Sequence, residues 1–316
     1  MNNKILSLLL QSQGEFVSGQ QIADQLQVSR VSISKHIRSL RDNGIEIEAV
    51  PNKGYRLAAS LDLLDGPTIE NGLHPFYHVE VVSSVASTND ELKKKADHLS
   101  EGTVLIADHQ SAGRGRNGRS FYSPEHSGIY LSIFLRPAFS LDTALKLTAA
   151  ASLAVVDSLE KNYDIHPTIK WVNDVLIEHK KVTGILCEAG FEMNSSRMDY
   201  MIVGIGINVH SYTMPPELQS IAGCVEDFST HTCKRNQIIQ DLLNSFYTYY
   251  STMEDNTFLP SYKSHSCLIG KKVTVMEGKS AYQAIVVDID DQARLIVKKG
   301  QEILPLSSGE IHIRNY

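Results

Sequence analysis

Three arginines, Arg114, Arg116 and Arg119, alternate with three glycines, Gly113, Gly115 and Gly118, inside seven residues that follow Gln110. Guanidinium groups on a backbone free to take positive φ suit a loop that closes around an anion. The stretch satisfies G-x-G-x-x-G, yet Ser120 to Pro124 does not open a helix, so the dinucleotide-fold context is missing. No Lys-Ser or Lys-Thr follows the last glycine, which excludes a Walker A loop. Read without its surroundings, the stretch is also compatible with a plain basic surface loop.

Further polar groups recur on strand-like flanks. Lys170-Trp171-Val172 runs into Asn173-Asp174, a hairpin turn signal before it is a functional one. Lys181 precedes Val182-Thr183-Gly184-Ile185-Leu186, and Gly204-Ile205-Gly206-Ile207 ends at Asn208. Glycines inside strands weaken them unless something approaches the backbone closely, so Gly184, Gly204 and Gly206 predict a ligand lying against a sheet. Ser87, Thr88 and Asn89 stand at a helix start, where Thr88 with Glu91 makes a capping box; that capping role is the alternative to a binding role.

These residues need a scaffold, and 316 residues suffice for two or three domains with cores of their own. Hydrophobic and charged fractions of 42% and 21% are those of a soluble globular protein. A net charge of −6 excludes a chain that coats nucleic acid over its whole surface, so such contact requires a local patch. The four cysteines form no C-x-x-C pair and match no histidine spacing, which points to reduced thiols in a cytoplasmic protein without a zinc site. No apolar run reaches membrane-spanning length, and Ile5 to Leu10 is too short for a secretory signal.

Residues 1–64 read as helix, helix, basic helix and hairpin, the order of a winged helix-turn-helix. Ser18 with Gln21 makes a capping box and Ser29 is the next N-cap. The third helix buries Ile33, Ile37 and Leu40 and exposes Arg30, Ser32, Ser34, Lys35, Arg38 and Arg41 before Asn43-Gly44 ends it. Arg30, Ser32, Ser34, Lys35 and Arg38 are groove and phosphate donors, and Lys53 and Arg56 on the wing reach flanking backbone. An interaction module with a solvated basic face is the alternative.

Ser60 to Pro67 reads as a linker. Residues 65–268 alternate strand and helix: strands at 79–82, 103–108, 129–135, 168–172, 175–177, 182–188 and 201–208, a long helix from Thr143 capped by Asp142, and an amphipathic helix over 234–251. From 269 only short strands remain, at 273–275, 284–287, 295–297 and 311–313, with turns at Glu277-Gly278, Asp290-Asp291 and Ser308-Gly309, which suggests a small SH3-like β-barrel. The fold expected is multidomain α+β with a mixed central sheet.

Taken together, the arginine loop, the Lys-Trp-x-Asn-Asp element, the Lys-x-x-Gly-Ile-Leu element and the Gly-Ile-Gly-Ile-Asn element closely resemble the biotin protein ligases. With the winged helix in front, the whole chain resembles the bifunctional members that also repress biotin genes. Val172 stands where the family usually has proline, and Phe121 where tryptophan is common, so a ring face is kept while an indole N–H is lost. The resemblance implies that biotin and ATP, with Mg²⁺ and no protein-only metal site, give biotinyl-adenylate, whose acyl group passes to a lysine of a biotin carboxyl carrier domain. It implies Arg116, Lys181 and Asp174 as the catalytic residues. It assigns biotin to Ser87, Thr88, Asn89, Gln110, Gly113, Arg114, Arg116, Lys181 and Gly184. It assigns nucleotide to Arg116, Arg119, Phe121, Asn173, Asp174 and Asn208. Operator DNA and a homodimer formed on biotinyl-adenylate are the further partners it implies. The competing readings are a biotin-sensing regulator without catalysis and a lipoyl or octanoyl transferase.

Overall fold

The computed structural model describes residues 1–12, 14–42, 45, 47–57, 62–137, 144–191, 198–277, 280–307 and 310–313. It divides into two compact units, Met1–Asp65 and Gly66–Tyr316.

The first unit holds helices α1 (Asn2–Gln11), α2 (Gly19–Leu26) and α3 (Arg30–Asp42), followed by the hairpin β1 (Ile47–Val50) and β2 (Gly54–Leu57). Ile5, Leu9, Ile22, Ile33, Ile37, Leu40, Ile47 and Leu57 close one core. The Ser18–Gln21 capping box is formed in both directions, at 3.1 and 2.9 Å. Gln27 turns the chain in left-handed conformation, and Ser29 Oγ accepts the Ser32 amide at 3.2 Å. The helix-ending Asn43-Gly44 lies outside the described residues. Arg41 is exposed, as its position on the helix predicts, and its guanidinium also donates to the Ile47 carbonyl, tying α3 to the hairpin.

Of the expected linker, Ser60 and Leu61 lie outside the described residues, Leu63 belongs to the first core, and Gly66-Pro67 opens a helix, α4 (Gly66–Asn71), that buries Ile69. Proline in a first helical turn forfeits no hydrogen bond, so Pro67 is a start signal rather than a linker mark.

Seven strands form the central sheet: β3 (His78–Val85), β4 (Thr103–Gln110), β5 (Gly128–Leu135), β6 (Thr168–Lys170), β7 (Asp174–Ile177), β8 (Lys180–Phe191) and β9 (Met198–Asn208). Their order is β3-β4-β5-β9-β8-β7-β6; the β3/β4 pair is parallel and every other pair antiparallel. Helices α6 (Ala144–Asn162) and α7 (Arg235–Ser251) pack on each other and on the sheet, while α5 (Thr88–Lys94) packs on β4, β5 and β9. Every residue of β5 is therefore buried. Leu147, Ala150, Ala151, Ala154 and Leu159 of α6 are fully buried, as are Ile238, Ile239, Leu242 and Phe246 of α7. The expected cap and first residue of α6, Asp142 and Thr143, lie outside the described residues. A short helix, α8 (Leu259–Ser264), leads to the C-terminal strands.

Those strands are five, not four: β10 (Lys272–Glu277), β11 (Ser280–Ile289), β12 (Leu295–Lys299), β13 (Glu302–Leu306) and β14 (Glu310–Ile313). They make an antiparallel sheet in the order β13-β12-β11-β10-β14. Among the described residues no ladder joins β13 to β14, so the sheet is open where a barrel would close. Strand β13 carries Pro305 and is mostly exposed, as an edge strand tolerates and as alternation of apolar residues does not reveal. Gly278, Ser308 and Gly309 of the expected turns lie outside the described residues. Trp171 Nε1 donates to the Ala293 carbonyl at 2.8 Å, fixing the β6–β7 turn against this sheet.

Candidate functional site

The floor of the site is the middle of the large sheet. Tyr130, Gly206 and Gly184 lie in one row across β5, β9 and β8, and Ser132, Gly204 and Leu186 in the next. Side chains alternate along strands, so these six share a face, and the glycines clear it. The cleared space is not left for a ligand alone. A Cβ at Gly206 would meet the Phe121 ring at 2.7 Å, and one at Gly204 would meet Asn89 Oδ1 at 2.3 Å. The close approach inferred from these glycines is made in the first instance by the protein's own side chains.

Around this floor lies a cavity of about 650 Å³. It brings together Ser87, Thr88, Asn89, Gln110, Arg114, Arg116, Arg119, Phe121, Asn173, Asp174, Lys181, Gly184 and Asn208. Gly113 lies behind the wall. A Cβ there would sit 2.4 Å from the Phe121 carbonyl oxygen, because residues 113–121 form a narrow ribbon closed by Phe121 N to Gly113 O at 2.8 Å and Gly115 N to Arg119 O at 2.7 Å. Of the three loop glycines only Gly118 uses positive φ, and Asn117 shares that turn with φ 56. Gly115 is extended, so the loop is more regular than its glycine content suggests.

One end of the cavity is a ring of mutually satisfied polar groups. Ser87, not Thr88, caps α5, accepting the Asp90 amide at 3.4 Å. Thr88 is thereby freed to face inward: its amide and hydroxyl both donate to Gln110 Oε1, at 2.9 and 3.2 Å. Gln110 Nε2 donates to Ser123 Oγ at 3.0 Å. Ser132 Oγ, fully buried, lies 2.7 Å from Thr88 Oγ1 and 2.6 Å from Asn89 Oδ1, with one proton to give. Asn89 Nδ2 donates to Glu188 Oε2 at 2.8 Å. Arg114 is bound to Asp90 at 2.5 Å and Glu188 at 3.2 Å, and these carboxylates hold its guanidinium more firmly protonated than usual.

The other end is cationic. Arg116 Nη1 donates to Asn173 Oδ1 at 2.9 Å, Asn173 Nδ2 to Asp174 Oδ1 at 3.0 Å, and Lys181 Nζ pairs with the same Asp174 oxygen at 2.7 Å. The β6–β7 hairpin sets Asp174 opposite Lys170, which also lines the cavity. The peptide between Trp171 and Val172 is cis. Lys180 Nζ donates to the carbonyls of Gln219 and Ser220, both at 2.9 Å, and so holds the 218–222 segment at the rim.

Sequence reasoning missed Glu188, Ser132, Ser123, Lys170 and Tyr212. Glu188 and Ser132 were legible by alternation, two steps beyond Leu186 and two beyond Tyr130 on a face already marked by glycines. Ser123 and Tyr212 lie in irregular segments without such a period. It also missed Arg235, the first residue of α7, which is completely buried and donates to Asp108 at 2.7 Å. Asp108 in turn holds His126 Nδ1, in the segment that links the arginine ribbon to β5, at 2.6 Å.

The residues expected to contact DNA belong to the first unit. Arg30, Ser34, Lys35, Arg38 and Lys53 are exposed, and Ser32 and Arg56 half-buried. Ser34 Oγ lies 3.1 Å from the Tyr55 hydroxyl. Arg56 is engaged within the wing, with Glu48 at 2.6 Å and over the Phe16 ring at 4.4 Å.

Over 99% of its length the chain is 34% identical to the "Bifunctional ligase/repressor BirA" of Bacillus subtilis, of which 98% is covered. The chain belongs to the biotin protein ligase family. Residues 80–208 match the Biotin/lipoate A/B protein ligase family, residues 268–314 the biotin protein ligase C-terminal domain, and residues 2–56 a helix-turn-helix domain. Identity to the "Bifunctional ligase/repressor BirA" of Escherichia coli is 29%, covering 99% of this chain and 97% of that one. Among solved structures, the biotin protein ligase from Aquifex aeolicus in complex with biotin and ATP superposes with a TM-score of 0.66 at 29% identity, covering 76% of this chain and all of that one. As a member of the ligase family, this chain carries the arginine loop and the Lys181 strand in a single cavity.

Proposed function

We propose that the protein is an ATP-dependent biotin ligase that also represses transcription from operator DNA. The observation that carries the ligase reading is the division of one cavity into a hydrogen-bonding end without spare positive charge and a cationic end. Biotin's ureido ring is uncharged and needs paired donors and acceptors, which Thr88, Asn89, Gln110 and the backbone near Arg114 supply. A saturated acyl chain of the lipoyl or octanoyl kind gives that end nothing to bond.

In the first step a carboxylate oxygen of biotin attacks the α-phosphorus of ATP and pyrophosphate leaves. Two anions must meet, and Arg116 and Lys181 offset their repulsion and the charge growing on the phosphoryl oxygens. Arg119, Phe121, Asn173 and Asn208 form the nucleotide side. The side-chain oxygens of Asp174, Asn173 and Asn208 are hard donors of the type Mg²⁺ accepts beside phosphate oxygens, which fits a metal that arrives with ATP. Among the described residues no group of three or more His, Cys, Asp or Glu side chains is placed to hold a metal ion. In the second step the neutral amine of a carrier-domain lysine attacks the acyl carbon and AMP departs. Asp174 orients that amine or takes its proton.

Residues 1–64 act as the DNA-reading domain, 65–268 as the ligase domain and 269–316 as an SH3-like module, and biotinyl-adenylate promotes a homodimer that reads two half-sites. Four free cysteines fit a cytoplasmic setting, and no described helix is long and apolar enough to cross a membrane. Supplying biotin, Mg·ATP and a purified carrier domain tests the reading. Pyrophosphate release with a biotinylated carrier is the expected result; no release and no label would sink it.

A further inference from the structure

Arg114 looks from sequence like a third cation for the ligand, but two carboxylates from other elements already hold it. Asp90 lies in the first turn of α5, and Glu188 lies on β8 two residues beyond Leu186. Glu188 uses both its oxygens: Oε1 faces Arg114 Nη2 at 3.2 Å and Oε2 accepts from Asn89 Nδ2 at 2.8 Å. Asn89 Oδ1 in turn sits 2.6 Å from the buried Ser132 hydroxyl and directly over Gly204. The arginine ribbon, the start of α5 and the sheet floor therefore meet at one side chain.

We propose that Glu188 is a positioning residue for the ring-binding end of the cavity, a joint that fixes the ribbon through Arg114 and the recognition amide through Asn89. The inference rests on the biotin ligase reading and deepens it. A carboxylate is suited to the task because it only accepts, and both of its partners only donate toward it. A glutamine of the same shape offers one oxygen and one NH₂ group, so one of the two partners must face a donor. Two carboxylates around one guanidinium also leave this end without spare positive charge. An anionic group gains nothing here, and biotin's carboxylate is directed to Arg116 and Lys181 instead. Asp90 shares the first task but does not touch Asn89, so its loss disturbs the ribbon more than the recognition amide.

The test is Glu188→Gln in the full-length protein, with steady-state kinetics and amide exchange of residues 112–119 in the absence of ligand. The expected result is a rise of about tenfold or more in KM for biotin, with kcat and the KM for ATP changed by less than about threefold, because the joint orders ground-state binding of one substrate. Ribbon exchange speeds up. Asp90→Asn speeds exchange with a smaller rise in KM for biotin. In the double variant Asn89→Asp with Glu188→Gln, donor and acceptor trade places between the two side chains, and exchange returns toward the wild-type rate. Unchanged exchange and unchanged KM for biotin in Glu188→Gln overturn the proposal. So does a parallel loss of kcat and of affinity for both substrates, the mark of general damage. Should the wild-type protein label no carrier, the ligase reading fails, whereas the exchange measurements still decide whether Glu188 is the joint.

Discussion

Lys181 carries two relations at once, an ion pair to Asp174 and a place in the cavity wall beside Gly184, whose Cβ would meet Lys181 Nζ at 3.3 Å. On the proposed reading, this amine is positioned before the reaction to meet charge that develops on the phosphoryl oxygens when two anionic reactants enter. Donors fixed in advance are worth on the order of 10²–10³ in rate. Lys181→Ala should therefore slow adenylate formation by about that factor, measured as pyrophosphate release. Transfer from biotinyl-adenylate supplied ready-made should suffer less, and equal losses in both steps would contradict the role. A second residue-scale expectation concerns His126. Its hydrogen bond to Asp108 raises its pKa above the ordinary value. Burial alone would raise Asp108, but hydrogen bonds from His126 and Arg235 outweigh it and hold the carboxyl below its usual range. The histidine's stabilisation is complete below its unfolded pKa, about 6.5, and fades as pH rises through the higher folded value. The aspartate's contribution is present above its unfolded pKa and fades as pH falls through the lower folded value. In a pH series of melting temperatures, His126→Gln should fall furthest below the wild type between those limits and converge with it in alkali. A gap that stays the same from those limits up into alkali would exclude the linkage.

At the scale of elements, what the sequence disclosed depended on whether a local rule had a competitor. The Ser18–Gln21 box and the buried faces of α3, α6 and α7 were legible because caps and helical spacing act within a few residues. Ser87 and Thr88 both suit an N-cap, and only the tertiary partner Gln110 decides which one turns inward. The clustering of the site was legible in part: Gly184, Gly204 and Gly206 marked the floor, whereas the Asp90–Arg114 and Arg114–Glu188 contacts join residues on three separate elements and leave no local trace. In the ribbon, glycine content suggested freedom where the structure uses it for close approach. Gly113→Ala places a Cβ against the Phe121 carbonyl at 2.4 Å, a backbone contact that cannot swing aside. Overpacking of this kind costs about 1–3 kcal/mol, and here the ribbon bears it. Gly118→Ala meets nothing within 4 Å and suffers only from φ +72. Amide exchange at Gly115 and Phe121 should accelerate strongly in the first variant and mildly in the second; the reverse order would refute the account of the ribbon.

For the whole molecule, the decisive point is that the first unit's core, from Ile5 to Leu63, is built from its own residues. The sheet of the second unit likewise has helices of that unit, α6 and α7, packed on it. Removing residues 1–64 should therefore leave a folded chain that still transfers biotin at a measurable rate but no longer binds operator DNA. The link between the two activities has to be energetic. One winged helix presents few donors, and useful affinity needs a symmetric pair of reading heads on half-sites about 34 Å apart or a multiple of it. A ligand shifts such an association only through differential affinity, so the proposed adenylate-promoted dimer requires that biotinyl-adenylate bind the dimer more tightly than the monomer. The arginine ribbon and the 218–222 segment border the cavity and can report what fills it to the outer surface. Sedimentation of the full-length protein should show stronger dimerisation with adenylate than without, and operator affinity should rise by the corresponding amount. If adenylate strengthens neither, the ligase and the DNA-reading unit share a chain without sharing a regulatory equilibrium, and repression by this protein does not respond to biotin.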